Sequence, residues 1–336
     1  MKVSELREKI RSSTKDELQQ IIVEMYKQIP KRMREEKEID RLIEEPEVFK
    51  KSRKSAKQSM KDLDFHSVEQ ETKTFIANAW AQNYFAPNRA VPKKERSNWR
   101  FTAKRLVEQV MSFSNHPVHQ KACASLMEEL YRLFVYASGH YVFASQEPFD
   151  TLKIPQTDFL EWVVLLKKET EDPDQWISGS LKLVIEEDSN YYTTTRSLLG
   201  VLLRALNNAP LKERMVAIAE ELLHEKRKAL KRSKRDGIWK NEQYINHLVQ
   251  MIFMTQSALG EYQEAINVFK KYYIESGREI KLFVLLQLIM HHQSTNSWIN
   301  VYEHAVKQGI KPREGLQEAY EYIKQENEFP EYIYAY

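Results

Sequence analysis

Residues 246–277 read NHLVQMIFMTQSALGEYQEAINVFKKYYIESG, and this stretch predicts two antiparallel helices. Apolar residues recur at helical spacing from Leu248 to Leu259, which places them on one broad face. Gly260 stands where the first helix is expected to end, because glycine tolerates the left-handed backbone of a C-terminal cap. A second helical pattern begins at Tyr262. The stretch therefore predicts a helical hairpin joined at Gly260.

The second half of this hairpin resembles a tetratricopeptide-type repeat. Four residues match the G-x-Y-x-x-A-x-x-x-F pattern of its second helix, namely Gly260, Tyr262, Ala265 and Phe269. Trp298 follows Tyr262 at close to one repeat period of about 34 residues. The resemblance implies stacked helix–turn–helix units. The alternative is an ordinary helical hairpin that shares these residues by chance.

The same resemblance implies a binding surface on the first helix of the hairpin. Its register places three residues on the concave surface where a protein or peptide partner would lie: His247, Gln250 and Met254. Two positions depart from the pattern, because Phe253 and Tyr272 stand where such repeats commonly carry small residues. These departures indicate a degenerate repeat with wider spacing between its helices.

The composition favours helices along the whole chain. Glycine (8) and proline (11) are scarce among 336 residues, and no segment shows a convincing strand alternation. We predict an all-α fold of about 12 to 14 helices. Its antiparallel helical hairpins are expected to stack as a tetratricopeptide-like right-handed α-solenoid.

The chain is predicted to form two domains. Residues 1–155 are expected to be a helical N-terminal domain with a charged linker near 31–64, and residues 156–336 the tetratricopeptide-like repeat domain. Residues 83–152 also resemble a bacterial helical domain family of unknown function. That resemblance is carried by the basic loop after NYF and by the Y-x-x-S-G-x-Y-x-F and E-P-F-D elements. It implies a helical domain and no known activity.

Local signals predict several helix ends. Thr14 with Glu17 predicts a capping box, and the Asp-Pro pair at 172–173 predicts a helix start. Thr157 is expected to cap the helix that follows it. The short aromatic tail at 329–336 is expected to pack back onto the last helices.

Composition also bounds the compartment and the partners. Cys123 is the single cysteine, which excludes an internal disulfide and fits a reducing cytosol. The first residues show no apolar signal core, and no apolar run is long enough to span a membrane. The net charge of +3 is small, with opposite charges interspersed. We predict a cytoplasmic protein without a membrane partner; the oligomeric state is not predictable from these features.

One group of residues is a candidate metal site. His116, His119 and Cys123 lie close in sequence, and the last two are spaced to share a helix face. No further zinc ligand stands nearby, and Cys123 fits the apolar stripe as a small core residue. We predict a structural role for these residues.

Other titratable groups give no catalytic signature. The pair His291-His292 ends a buried helix, where histidine suits the negative end of the helix dipole. Carboxylate runs at 186–188 and 220–221 are typical of charged helix faces. The glycines are scattered singly, and no G-x-S-x-G turn occurs. We predict no enzymatic activity and no cofactor; the alternative is an enzyme whose site is assembled from distant helices.

Two basic clusters support a second hypothesis, contact with nucleic acid. The cluster near 226–235 includes Arg227, Lys231, Lys234 and Arg235, and the cluster near 89–105 includes Arg89, Lys93 and Arg96. Aromatic residues are interleaved with the second cluster: Phe85, Trp99 and Phe101. Such cations neutralise phosphates, and such aromatics stack on unpaired bases. The alternative is a solvated helix end and a basic loop, with Trp99 and Phe101 in the core.

The leading hypothesis is a non-enzymatic scaffold or adaptor that binds a protein or peptide. Stacked helical hairpins create an extended concave surface, and a partner can lie along it without any catalytic geometry. A nucleic-acid-associated protein is the alternative. The sequence names neither the partner nor the pathway.

Overall fold

The computed structural model describes residues 10–11, 13–29, 39–46, 64–143, 147–186, 193–230 and 238–333. Within these ranges the protein is all-α and contains no strand, which confirms the all-α part of the predicted fold class. No helix among these residues is long and apolar enough to cross a membrane. Sixteen helices are present in the described residues, which is more than predicted from the sequence, and short helices such as Lys93–Ser97 and Pro148–Leu152 contribute to the difference.

The helices follow one another in the order α1 (Lys15–Gln28), α2 (Ile39–Glu44), α3 (Phe65–Trp80), α4 (Lys93–Ser97), α5 (Trp99–Phe113), α6 (Gln120–Gly139), α7 (Pro148–Leu152), α8 (Gln156–Thr170), α9 (Pro173–Glu186), α10 (Thr195–Ala205), α11 (Ala209–Leu230), α12 (Ile238–Leu259), α13 (Tyr262–Tyr272), α14 (Arg278–His292), α15 (Thr295–Lys307) and α16 (Glu314–Glu326). Residue contacts divide the chain into two compact units, Met1–Asp64 and Phe65–Tyr336.

The first unit contains α1, whose start is fixed by the predicted capping box. The Glu17 amide donates to the Thr14 hydroxyl, and the Thr14 amide donates to the Glu17 carboxylate at 2.7 Å. Two orphan donors at the helix start are thereby satisfied. None of the residues of α1 is buried, although the helix carries the apolar residues Ile21, Ile22 and Met25.

The second unit is organised by contacts between alternate helices. Helix α8 packs on α6 and α10, α12 packs on α10 and α14, and α9 packs on α11. Consecutive helices also pack in pairs, most extensively α11 with α12 and α12 with α13. Each of these helices therefore buries its apolar side chains against both its sequence neighbour and the helix beyond it.

Helices α3, α5, α6 and α8 enclose an aromatic core at the start of this unit. The ring of Trp99 stacks on that of Phe143 with centroids 3.9 Å apart, and Phe134 meets Phe159 edge to face at 5.8 Å. All four rings are 2% exposed or less. Rings of this size dominate the burial of apolar surface, so this cluster is a main source of stability for the four helices.

An ion network joins α6 to α8. The Lys167 ammonium donates to Glu128 at 2.7 Å and to Glu171 at 2.9 Å, and Arg132 also pairs with Glu128. Burial opposes protonation of Lys167, but its hydrogen bonds to the two carboxylates raise its pKa on balance. The predicted domain boundary at 155/156 falls between α7 and α8, and this network crosses it. That boundary stays a prediction.

The hairpin of α12 and α13 takes the form predicted at Gly260. Helix α12 ends at Leu259, and Gly260 adopts a φ of 84°, the left-handed conformation expected of a glycine cap. Phe253 and Phe269 pack edge to face across the hairpin, with ring centroids 6.3 Å apart. Both side chains are fully buried, so the large residue at 253 fills the space between the two helices.

A buried amide fixes the connection that follows this hairpin. The Asn246 side chain donates to the Ile274 carbonyl at 2.9 Å and accepts from the Ile274 amide at 2.8 Å. Asn246 is 5% exposed. The paired hydrogen bonds hold the segment between α13 and α14 against the middle of α12.

Two further local predictions have different outcomes. Helix α8 begins at Gln156, so Thr157 lies inside the helix and its prediction as the cap is wrong. Pro155 occupies the cap position, where its fixed φ suits a helix entrance. In the tail, Ile333 is buried and its carbonyl accepts from Gln287 of α14 at 3.5 Å. That part of the tail packs back as predicted, whereas residues 334–336 lie outside the described residues.

Candidate binding surfaces

The three residues predicted to line a partner surface occupy different depths on α12. His247 and Gln250 are partly exposed, while Met254, one turn further along, is 2% exposed. Gln243 is also partly exposed, so Gln243, His247 and Gln250 form one strip at helical spacing, which we call the α12 strip. Met254 lies beneath this surface, in the core. The role of these residues in binding stays a prediction.

His247 is held in an apolar setting on the α12 strip. Burial lowers its pKa, so its imidazole favours the neutral form. Its Nδ1 atom is buried and has no hydrogen-bond partner in the described part of the chain. An unpaired ring nitrogen is costly to keep from water, and because this atom is buried, a partner would reach only the partly exposed remainder of the side chain.

Helix α14 ends near a charged residue of α10. Burial, and to a smaller extent the nearby His291 and Arg196, lower the pKa of His292 to about 4. The pKa of His291 is also lowered, by burial and then by Arg196. Burial lowers the pKa of Arg196 itself, and no carboxylate pairs with it among the described residues. The guanidinium of Arg196 therefore lies close enough to His291 and His292 to lower the pKa of both imidazoles.

The basic cluster near 89–105 is mostly open to solvent. Arg89 and Lys93 are exposed, and Arg96 is half-buried, where its guanidinium donates to the Ala86 carbonyl at 2.9 Å. Phe101 is 61% exposed and carries the guanidinium of Arg100 at 4.7 Å from its ring centroid.

The aromatic residues of this cluster therefore divide into two groups. Trp99 is 2% exposed and belongs to the core, as the structural interpretation expected. Phe85 and Phe101 are exposed, contrary to the expectation that Phe101 lies in the core. Phe101 follows Trp99 by two residues on a helix, which turns it to a different face of α5.

The cluster near 226–235 is described only as far as residue 230. The Arg227 guanidinium lies 4.6 Å from the centroid of the Tyr272 ring, and the Lys226 ammonium lies 4.1 Å from that of Tyr244. These cations stack on aromatic rings of the neighbouring hairpin. Lys231, Lys234 and Arg235 lie outside the described residues.

Two of the candidate metal ligands, His119 and Cys123, pack within the fold. The imidazole of His119 stacks on Phe65 with centroids 4.2 Å apart, and Cys123 is fully buried. Burial raises the pKa of the Cys123 thiol to about 11, with a smaller effect from Glu69. A thiol that resists ionisation is a poor metal ligand. Within the described ranges, no three His, Cys, Asp or Glu side chains are grouped so as to hold a metal ion.

The predicted carboxylate runs lie on the surface. Glu186, Glu220 and Glu221 are exposed, and residues 187–188 lie outside the described residues. Such positions are typical of solvated helix faces.

Comparisons with known proteins give no relative: no family model, no curated protein and no solved structure matches this chain. The geometry of the described residues is therefore the basis for any functional conclusion.

Several polar residues at these surfaces were not singled out in the sequence. None of Asn246, Arg196, Lys270 and Lys281 belongs to a recognisable motif. Only the packing of α10, α12, α13 and α14 gives these residues their tertiary neighbours. A buried Asn within an apolar helical stretch was the one available signal, since a polar residue at a core position requires hydrogen-bond partners.

Proposed function

We propose that this protein is a non-enzymatic scaffold that binds a protein or peptide partner, and that its helices stack as a tetratricopeptide-like right-handed solenoid. The observation that carries this proposal is the packing of alternate helices, in which α8, α10, α12 and α14 contact one another in sequence. A row of such helices presents a continuous surface. A partner lying on it would contact one short strip from each helix.

The α12 strip is the part of this row that we propose as the contact. Most side chains of α12 between residues 244 and 257 are buried, whereas Gln243, His247 and Gln250 retain solvent exposure. Two amides and a neutral imidazole supply donors and acceptors without net charge. They suit a partner's main-chain groups, which offer uncharged donors and acceptors of the same kind.

The test is a selection of peptides from a random display library on the full-length protein, followed by affinity measurements on the selected peptides. We expect Gln250→Ala and His247→Ala each to weaken binding about fivefold or more, the loss of one hydrogen bond. Gln70→Ala is the matched control, since Gln70 is an exposed glutamine on α3. Selected peptides that bind both strip variants as tightly as the wild type would place the contact elsewhere.

A second candidate function, contact with single-stranded nucleic acid, is favoured by one specific observation. Phe101 is exposed with the Arg100 guanidinium 4.7 Å from its ring centroid, and Phe85, Arg89 and Lys93 are exposed in the segment before α5. Exposed aromatic rings and cations are the groups on which unpaired bases stack and to which their phosphates bind. We expect anisotropy of a labelled oligonucleotide to report binding that falls steeply between low and moderate salt. Phe101→Ala and Lys93→Glu should both weaken it. Absence of binding at low salt would remove this candidate.

A further inference from the structure

A cavity of ≈ 310 Å³ lies among α13, α14 and α15. Apolar side chains form much of its wall, including Phe269, Leu282, Leu285 and Val301. Cavities of about 300 Å³ and above are the size class that holds small organic ligands. We call it the α13–α15 cavity.

The polar groups of the α13–α15 cavity are strongly biased toward positive charge. Lys270, Arg278 and Lys281 line it together with His304, and no carboxylate is among its lining residues. Acidic residues close in sequence have other partners. Glu279 is paired with Arg313, and the Glu275 carboxylate accepts from the Gly277 amide at 2.9 Å.

The two lysines are held at the cavity in different ways. The Lys281 ammonium donates to the carbonyls of Lys270 at 3.0 Å and Tyr273 at 2.6 Å, so it caps the C-terminal end of α13. The Lys270 ammonium has no hydrogen-bond or ion-pair partner among the described residues. Lys270 is exposed and Lys281 is partly exposed, and desolvation lowers the pKa of both side chains.

We propose that the α13–α15 cavity binds a small amphiphilic oxyanion, meaning a carboxylate or phosphate group attached to an apolar body. The anionic group would lie against Lys270, Lys281 and Arg278, and the apolar body against Leu282, Leu285 and Val301. An oxyanion supplies the counter-charge that the lining lacks. This site does not depend on the partner-binding role proposed above.

A second cavity of ≈ 380 Å³ adjoins the first, since Lys270, Val301 and His304 line both. Its other lining residues belong to α13 and α15 and are mostly polar, among them Gln263, Ser297 and Asn300. Of the two adjoining cavities, the α13–α15 cavity is therefore the more apolar.

The test is calorimetric titration of the full-length protein with four probes: octanoate, octyl phosphate, 1-octanol and inorganic phosphate. We expect at least one of the two amphiphilic anions to bind about tenfold more tightly than both 1-octanol and inorganic phosphate. Only the amphiphilic anions contact both the cationic and the apolar residues of the lining. The preferred probe distinguishes a carboxylate ligand from a phosphate ligand. Equal affinity for octanol and octanoate, or no binding of either anion, overturns the proposal.

Lys270→Gln is the decisive variant because the Lys270 ammonium makes no contact within the fold that its loss would break. We expect it to weaken binding of the preferred anion about tenfold, the effect of removing one charge-assisted hydrogen bond. Lys271→Gln is the matched control: it removes the same charge from the next residue, whose ammonium lies over the Tyr272 ring and not in the cavity.

A second variant keeps the test conclusive if the Lys270 variant folds poorly. Arg278 is exposed and makes only a 3.3 Å hydrogen bond to the Gln308 carbonyl, so Arg278→Gln is expected to fold normally and to weaken binding. Unchanged affinity in a folded Lys270 or Arg278 variant overturns the site. Binding of a Leu-Glu repeat peptide with no binding of the small anions would also overturn it.

Discussion

Helices α1 and α12 carry similar apolar patterns and have opposite environments. In α1, the side chains of Ile21, Ile22 and Met25 are 46%, 53% and 59% exposed. In α12, Ile252, Phe253 and most of their neighbours are almost fully buried. The difference lies in the packing partners, because α12 is contacted by α10, α11, α13 and α14. An apolar stripe therefore predicts a helix, whereas the number of neighbours decides how much that helix contributes to stability.

The largest expected effect comes from truncating the centre of the α12–α13 hairpin. Phe253→Ala removes a fully buried ring that packs against Phe269, and we expect a loss of about 3–5 kcal/mol in the free energy of unfolding. Urea denaturation followed by circular dichroism measures it. Val306→Ala, at an exposed position of α15, is the control and should cost less than about 0.5 kcal/mol. Similar losses in the two variants would contradict the assigned core.

The next effect tests the buried amide that joins α12 to the segment after α13. Asn246→Ala leaves the amide and carbonyl of Ile274 without partners, and we expect a loss of about 2 kcal/mol. Asn246→Asp keeps an acceptor for the Ile274 amide and should lose the donor to the carbonyl. Amide hydrogen exchange at Ile274 should accelerate in Asn246→Ala and less in Asn246→Asp, which retains the acceptor. Unaltered exchange would show that this contact does not hold the segment.

A smaller effect is expected from the buried end of α14. The pKa of His292 is lowered to about 4 in the folded protein, so the unfolded chain binds a proton first as the pH falls. Stability from this group is fully present above about pH 6.5 and is lost as the pH falls toward 4. Because the side chain is partly exposed, we expect a loss of about 1–2 kcal/mol from this group.

His292→Gln measures this contribution directly. The difference in unfolding free energy between the variant and the wild type is measured at pH 7 and at pH 4.5. Taking this difference cancels the effects of the other titrating groups. The variant should lose less stability on acidification than the wild type. Parallel pH profiles for the two proteins would show that His292 ionises freely in the folded state.

The smallest effect is expected in α1, where the comparison began. Ile22→Glu replaces an exposed apolar side chain, and the unfolding free energy of the Phe65–Tyr336 unit should change by less than about 0.5 kcal/mol. Urea denaturation monitored by tryptophan fluorescence is the measurement, since every tryptophan lies beyond residue 64. A loss of several kcal/mol would mean that this side chain is buried in solution.

Helix ends were predictable from the sequence where the signal is local. Gly260 and the Thr14–Glu17 capping box are confirmed, and α9 begins at Pro173 as predicted, with Asp172 accepting from the Gln175 amide at 3.1 Å. These signals work because cap hydrogen bonds span only three or four residues. Thr157 shows where such signals fail. Threonine suits a cap, but Pro155 occupies the cap position of α8 instead.

The candidate sites were less predictable because they depend on distant packing. The repeat register placed His247 and Gln250 on a partly exposed strip, but it gave no indication that Met254 is buried beneath the surface. The lysines and the arginine of the α13–α15 cavity come from two helices, α13 and α14, and are ordinary charged residues in the sequence. Only the mutual position of α13, α14 and α15 separates them from the other lysines and arginines of the chain.

The single cysteine gives the protein a built-in reporter of internal motion. Cys123 lies fully buried in α6, and its raised pKa keeps the thiolate scarce at neutral pH. Alkylation therefore requires α6 to separate from its neighbours long enough for a reagent to enter. The labelling rate in native buffer measures how often the start of α6 opens around Cys123, with no engineered probe and no interference from other thiols.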